Sequence, residues 1–168
     1  MEVIIKYKKI IVITLVVLLI GLIVWQLTKE NLSNSSPEKV AKSYIESILQ
    51  GDAEKAVSYM SKYTVSESLY ETKKLLINAL EKKLNQSIDS YKDKYGSNWE
   101  YEIVVIDSVE YSVDEYKETC NHYGFERIMM VYLEVKHTGG LFFTRKEESE
   151  EFEVLLARED GKWVVISW

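Results

Sequence analysis

The sequence has little proline, cysteine or histidine: 1 Pro, 1 Cys and 2 His among 168 residues. The single cysteine, Cys120, excludes an intrachain disulfide, so the fold must depend on packing. It leaves a disulfide-linked homo-oligomer open. Zinc sites need three or four strong ligands, and so few candidates lead us to expect neither a metal nor a cofactor. Scarce proline favours long helices and strands.

Sequence signatures of common enzymes are also missing. There is no phosphate-binding P-loop, no G-x-S-x-G, no H-E-x-x-H and no dinucleotide-binding fingerprint. The chain therefore gives no positive sign of nucleotide-dependent, serine-hydrolase or zinc-protease chemistry.

Negative charge is concentrated after the first 27 residues. The whole chain has a net charge of −6, and residues 1–27 hold three lysines against Glu2, a net of +2, which leaves −8 for the remainder. An acidic domain repels phosphate backbones, so we do not expect nucleic acid as a partner.

One long apolar run is present near the N-terminus. Ile10 to Leu27 (IIVITLVVLLIGLIVWQL) is 18 residues without a charge. As a helix it would span about 27 Å, close to the ~30 Å hydrocarbon core of a bilayer. Trp25 suits the membrane interface, and Lys8 and Lys9 before the run favour a cytoplasmic N-terminus. We therefore expect a cytoplasmic tail at 1–9, a transmembrane anchor at 10–27 and an extracytoplasmic remainder, as in a single-pass cell-membrane protein.

A cleaved signal peptide is the alternative to an anchor. Cleavage needs a small-residue A-x-A-like site after the apolar run, but Thr28, Lys29 and Glu30 follow here. The sequence favours the anchor, and whether it is ever cleaved stays open.

Three helices are predicted after a polar tether at 28–36. Ser36 and Pro37 suit the start of the first helix, and Gly51 its end. Asp52 is a natural cap for a second, short helix. From Ser66 to Tyr95, apolar residues fall three, four or seven apart, which indicates a long third helix.

The period then changes from helical to alternating, which indicates strands. One face of the first strand is predicted to hold apolar residues both before and after Asp107. They are Trp99, Tyr101, Ile103, Val105, Val109, Tyr111 and Val113. Further strands are predicted at 126–137, 141–158 and 163–168, with a glycine turn at 138–140.

Helices first and hairpin-linked strands afterwards define an α+β class. We expect residues 37–168 to form one domain, with three helices on one face of a curved antiparallel sheet of about four strands.

Two segments resemble a known superfamily. SPEKVAKSYIESILQGDAEKAVSYMS (36–61) and EDGKWVVISW (159–168) are similar to the first two helices and the last hairpin of nuclear-transport-factor-two-like (ketosteroid-isomerase-like) proteins. More narrowly, they are similar to membrane-anchored and lipoprotein members of unknown function in Gram-positive bacteria. The resemblance implies a cystatin-like cone, and anchored domains of this fold serve in conjugation machines. The superfamily's catalytic groups find no match by motif, so the resemblance implies fold and not activity.

Asp107 and Tyr44 are the candidates for catalysis. In a cone-shaped fold, an inward carboxylate at Asp107 would be a general base, with Tyr44 lining the same cavity. The alternative is that Asp107 marks a bulge or an exposed strand end. Four aromatic residues are candidates for a ligand pocket, or else simply core: Tyr44, Trp99, Tyr101 and Trp163.

Two other features have plain structural explanations. Cys120 and His122 form the most reactive-looking pair, a nucleophile or half a metal site, but a buried thiol beside a surface imidazole is the simpler interpretation. The acidic stretch 147–153 is interpreted as a solvated strand that resists edge pairing, because alternate strand residues point to opposite faces.

The leading expectation is a non-catalytic, membrane-anchored binding or assembly module, with an envelope or secretion-assembly protein as a partner. The alternatives are a cone-pocket enzyme that transfers protons, of isomerase or hydratase type, and a carrier of a small apolar ligand.

Overall fold

The computed structural model describes residues 35–66, 72–112, 114–140 and 145–167. Every helix and strand given below belongs to one unit, Ser36–Trp168. The predicted anchor at 10–27, the tail before it and nearly all of the tether lie outside the described residues. Within the described ranges, no helix is both long enough and apolar enough to cross a membrane.

The first helix, α1 (Pro37–Gln50), has the predicted ends. The Ser36 hydroxyl accepts a hydrogen bond from the amide of Lys39 at 3.4 Å, and proline occupies the first turn. Gly51 ends the helix in the left-handed region at φ 75°, which glycine adopts without steric cost. The start and end predicted from sequence are confirmed.

Two short helices follow, α2 (Ala53–Tyr59) and α3 (Lys62–Ser66). The Asp52 carboxylate accepts a hydrogen bond from the Lys55 amide at 2.9 Å, which is the predicted cap. The helix α3 is an additional element that the sequence pattern does not predict.

The long helix α4 spans Lys73–Tyr95, so the prediction of one continuous helix from Ser66 is wrong at its start. Thr72 has extended backbone angles, and its hydroxyl accepts a hydrogen bond from the Leu75 amide at 3.3 Å. This cap begins a new helix at Lys73. The predicted end at Gly96 is confirmed, since its amide donates to the carbonyl of Lys92.

Four strands form one antiparallel sheet in the order β1-β2-β3-β4. Their bounds are β1 Glu100–Tyr111, β2 Ile128–Gly139, β3 Lys146–Glu159 and β4 Lys162–Ser167. A further helix, α5 (Lys117–Tyr123), lies between β1 and β2, where the sequence predicts only a connector. The α+β class and the four-stranded antiparallel sheet are confirmed.

The first strand contains a bulge that overturns the predicted face. Val105 pairs with Leu133 and Asp107 with Tyr132, so Ile106 is an extra residue on β1. An extra residue exchanges the faces of all residues after it. Val109 and Tyr111 therefore leave the helix-covered face, on which Val105 still lies; Val113 lies outside the described residues.

The hairpin between β2 and β3 also differs from the predicted glycine turn at 138–140. Gly139 is the last residue of β2 and pairs with Lys146, so the connection is residues 140–145, of which 141–144 are not described. A Cβ on Gly139 would lie 2.3 Å from the carbonyl oxygen of Tyr95. The missing side chain therefore allows the end of α4 to approach β2 closely.

Two clusters of buried residues lie on opposite faces of the sheet. The larger lies between the helices and the sheet, and α1 contacts all four strands there. Its buried members are Val40, Ala41, Tyr44, Ile45, Leu49, Ala56, Val57, Met60, Ile103, Val131, Leu133, Val135, Val154, Leu156 and Val165. The smaller packs α5 against the other face through Cys120, Phe125, Ile128 and Ala157.

Candidate functional site

A polar groove of about 700 Å³ lies between α4 and the first half of β3. Its volume falls within the range of small-molecule sites. We call it the α4–β3 groove. It is lined by Lys83, Gln86, Ser87, Ser90, Tyr91, Lys94, Tyr95, His137, Glu148, Ser149 and Glu150.

His137, on β2, lies at the floor of the groove and is 1% exposed. Its Nδ1 atom accepts a hydrogen bond of 3.1 Å from the indole Nε1 of Trp99. Because an indole N–H can only donate, this bond places the proton of the neutral imidazole on Nε2.

The protonated Nε2 atom is the unsatisfied group of the groove. It has no hydrogen-bond partner among the described residues, although it is buried. A carboxylate oxygen of Glu150 lies 3.5 Å away, longer than an ordinary N–H···O bond. A buried donor without a full hydrogen bond is costly, and the Glu150 carboxylate offsets part of that cost.

Two tyrosines of α4 cover this imidazole. The rings of Tyr91 and Tyr95 stack on His137 with centroids 4.7 Å and 5.6 Å away, each at an interplanar angle of 17°. Tyr91 also stacks on Trp99 at 4.9 Å and 14°. The rings thus form two layers, with the hydrogen-bonded Trp99 and His137 pair beneath the tyrosines.

The tyrosine hydroxyls reach two carboxylates of β3. Tyr91 donates to Glu150 at 2.8 Å, and Tyr95 donates to Glu148 at 3.2 Å. Lys94 pairs with the same oxygen of Glu148. These contacts hold the helix and the strand together at the groove and fix where its charges lie.

Burial and neighbouring charge shift the pKa values of His137, Tyr91, Glu148 and Lys94 in the groove. Burial lowers the pKa of His137, and this outweighs the opposite effect of Glu150. Burial, together with the Glu150 carboxylate, raises the pKa of Tyr91. The hydrogen bond from Lys94 lowers the pKa of Glu148. At neutral pH His137 is therefore a neutral imidazole, Tyr91 a neutral phenol and Glu148 a carboxylate.

The structure does not bring Asp107 and Tyr44 into one cavity, as the general-base hypothesis requires. Asp107 is exposed beside the bulge, where its carboxylate accepts a hydrogen bond from the Ser108 amide. The next side chain, Ser108, faces α1 and donates to Glu38. Tyr44 is 0% exposed within the core, and burial raises its pKa.

The other aromatic candidates lie in different places. Tyr101 packs beside Trp99, with ring centroids 5.5 Å apart, next to the floor of the groove. Trp163 lies on β4, where the Arg127 guanidinium is 5.7 Å from its ring centroid. The residues that line the groove do not include Tyr44, Trp99, Tyr101 or Trp163.

The described part of the chain holds no group of three or more His, Cys, Asp or Glu residues placed to bind a metal ion. Cys120 is buried in the smaller cluster, and burial raises the pKa of its thiol, which makes it a poor nucleophile. His122 is exposed on the same helix. This arrangement agrees with the simpler interpretation of the pair.

Sequence reasoning misses the residues that form the groove. The helical pattern predicts Tyr91 and Tyr95 as core residues, and the charge pattern places Glu148 and Glu150 in an exposed acidic stretch. A usable signal is their spacing, since positions i and i+4 share a helix face and positions i and i+2 share a strand face. His137 is buried among aromatic rings, which no local pattern indicates.

Comparison of the chain with protein-family models, with curated proteins and with solved structures finds no match. The resemblance to nuclear-transport-factor-two-like proteins therefore stays a prediction.

Proposed function

We propose that this chain is a membrane-anchored, extracytoplasmic, non-catalytic binding module whose ligand occupies the α4–β3 groove. Residues 10–27 form the anchor, residues 1–9 stay in the cytoplasm, and residues 28–36 connect the membrane to the domain at 37–168. An envelope or secretion assembly is the setting in which such a module would act.

Support for the anchored arrangement comes from the sequence. The uncharged run Ile10–Leu27 has the length of a bilayer span, and Lys8 and Lys9 precede it. The folded part, Ser36–Trp168, is a compact unit of its own.

The observation that carries the binding role is the α4–β3 groove, which has a volume of about 700 Å³ and is lined by hydrogen-bond donors and acceptors. A cavity of this size with convergent polar groups is typical of small-molecule sites.

The topology is tested with cysteine labelling in intact cells. In a Cys120→Ser background, a membrane-impermeant maleimide should label Glu54→Cys, an exposed position on α2. The matched control, Glu2→Cys, should react only after lysis. Labelling of both variants only after lysis would refute the extracytoplasmic placement.

The groove is tested by photocrosslinking in the same cells. A benzoylphenylalanine in place of Gln86 lies at the groove, whereas one in place of Lys92 lies at an exposed position of α4 outside the groove lining. We expect adducts from position 86 and none from position 92. Equal adducts from both positions, or none from either, would count against a ligand in the groove.

A further inference from the structure

We propose that the α4–β3 groove binds a neutral, polyhydroxylated ligand, namely an oligosaccharide. This inference rests on the proposed binding function and adds the chemical class of the ligand. The distribution of donors, acceptors and aromatic surface along the groove supports it.

Hydrogen-bonding groups of both kinds line the groove. The ammonium groups of Lys83 and Lys94 can donate, and the carboxylates of Glu148 and Glu150 can accept. The remaining polar lining residues can do both, namely Gln86, Ser87, Ser90 and Ser149. A sugar hydroxyl also donates and accepts, so a ring bearing several hydroxyls can satisfy such a lining at many points.

The charges of the lining disfavour strongly ionic ligands. Two lysines and two glutamates balance each other. For an anion the attraction of the lysines is offset by the repulsion of the glutamates, and for a cation the reverse holds, so neither gains a net attraction. A neutral polar molecule needs no such attraction, because it binds through hydrogen bonds.

The aromatic rings do not form a cage for an ammonium group. Cation recognition needs ring faces turned toward an enclosed space, but Tyr91, Tyr95, His137 and Trp99 stack on one another within 26° of parallel. The tyrosines that line the wall can still contact the apolar C–H surface of a sugar ring. The abundance of polar lining groups likewise disfavours a purely apolar ligand.

The groove is elongated along the helix. Its lining residues on α4 run from Lys83 to Tyr95, which corresponds to about 18 Å at the rise of an α-helix. They recur every three or four residues on one helix face. An extended ligand of several linked rings fits this shape better than one compact ring.

The test uses the full chain in lipid nanodiscs and isothermal titration calorimetry. The neutral probes are chitotetraose, cellotetraose and maltotetraose, and the ionic probes are choline and inorganic phosphate. We expect saturable binding of at least one tetrasaccharide and none of the ionic probes. Binding of choline or phosphate alone, or no binding of any tetrasaccharide, would overturn the assignment.

A matched pair of variants places the binding in the groove. Ser90→Trp fills the groove, whereas Lys92→Trp adds the same ring to the nearly opposite side of α4, at an exposed position outside the lining. We expect the first variant to weaken saccharide binding about tenfold or more and the second to leave it unchanged. Equal affinity in both variants would contradict the location, and far-ultraviolet circular dichroism verifies that both are folded.

The outcomes separate this inference from the proposed function. Photocrosslinked adducts from position 86 together with failure of every tetrasaccharide would keep the binding module and reject the ligand class. Saccharide binding in nanodiscs together with labelling of Glu54→Cys only after lysis would keep the ligand class and reject the extracytoplasmic placement.

Discussion

His137 shows how one buried side chain depends on its neighbours. Its Nδ1 atom is satisfied by Trp99, its ring is covered by Tyr91 and Tyr95, and its Nε2 atom has no hydrogen-bond partner among the described residues. Protonation of Nδ1 would set two N–H groups against each other at the Trp99 contact. The neutral state of the imidazole is therefore part of the native packing.

Replacing Trp99 with phenylalanine tests the indole bond. The ring would still stack on Tyr91, but the Nδ1 acceptor of His137 would stay buried without its donor. We expect the free energy of unfolding, measured by urea denaturation, to fall by about 1–3 kcal/mol. The tautomer of His137 would also no longer be fixed by the indole.

Trp163→Phe is the matched control, since that indole lies near Arg127 and not near a histidine. It should lose only the stability that belongs to the smaller ring. If both substitutions lower the free energy of unfolding equally, the Trp99–His137 hydrogen bond makes no measurable contribution to stability.

The lowered pKa of His137 predicts a pH dependence of stability. The unfolded histidine titrates near 6.5 and the folded one below that value. Between these values the unfolded chain binds more protons, so the free energy of unfolding falls as the pH drops below 6.5 and levels off below the folded pKa. Its slope should be at most about 1.4 kcal/mol per pH unit.

Two substitutions isolate this effect, because the chain has only 2 histidines. His137→Gln should flatten the profile between about pH 7 and 5, and His122→Gln, at an exposed position, should leave it unchanged. The carboxylate of Glu148 has a lowered pKa and an ordinary value of 4.5, so its contribution is lost only at lower pH. An unaltered slope in His137→Gln would contradict the assignment.

At the scale of the elements, local chemistry predicts the ends of helices better than the faces of strands. Ser36, Gly51 and Asp52 act within one helical turn, so the sequence alone identifies them. The bulge at Ile106 depends on contacts across the fold. Without the bulge, Asp107 would face the helices. With the bulge, Ser108 faces them and donates a hydrogen bond to Glu38, 70 residues away.

The groove could not be predicted for the same reason. The bond from Tyr91 to Glu150 joins residues 59 apart in sequence, and the bond from Tyr95 to Glu148 joins residues 53 apart. The sequence pattern predicts the helix and the strand separately. Only the register of β2 with β3 and the close approach of Gly139 to α4 bring the two together.

The exchanged faces of β1 are tested by one substitution made at two positions. Valine to threonine keeps the shape and adds a hydroxyl, which is costly only where it is buried. Val109 is 41% exposed, so Val109→Thr should change the free energy of unfolding by less than about 0.5 kcal/mol. Val135 is 0% exposed, and Val135→Thr should cost about 1–3 kcal/mol. A large loss of unfolding free energy in Val109→Thr would mean that Val109 is buried against the helices, as simple alternation predicts.

At the scale of the whole molecule, the proposed function assigns membrane attachment and ligand binding to two different regions of the chain. The apolar run at 10–27 has the composition of a bilayer span, while the helices and strands after Ser36 bury their own apolar residues. Acidic residues dominate that second region, which suits exposure to water. The two regions should therefore be separable by experiment.

Removal of residues 1–34 should leave a cooperatively folding domain that needs no detergent, because the described core lies wholly after Ser36. In phase partitioning with a nonionic detergent, we expect the full chain in the detergent phase and the truncated chain in the aqueous phase. A full-length control with Leu18→Lys and Leu19→Lys keeps the chain length but adds two charges, each costing about 2.5–3.5 kcal/mol at the centre of a membrane helix. This variant should partition into the aqueous phase like the truncated chain, because we expect the apolar run to determine partitioning. A full chain that stays in the aqueous phase would refute the anchor.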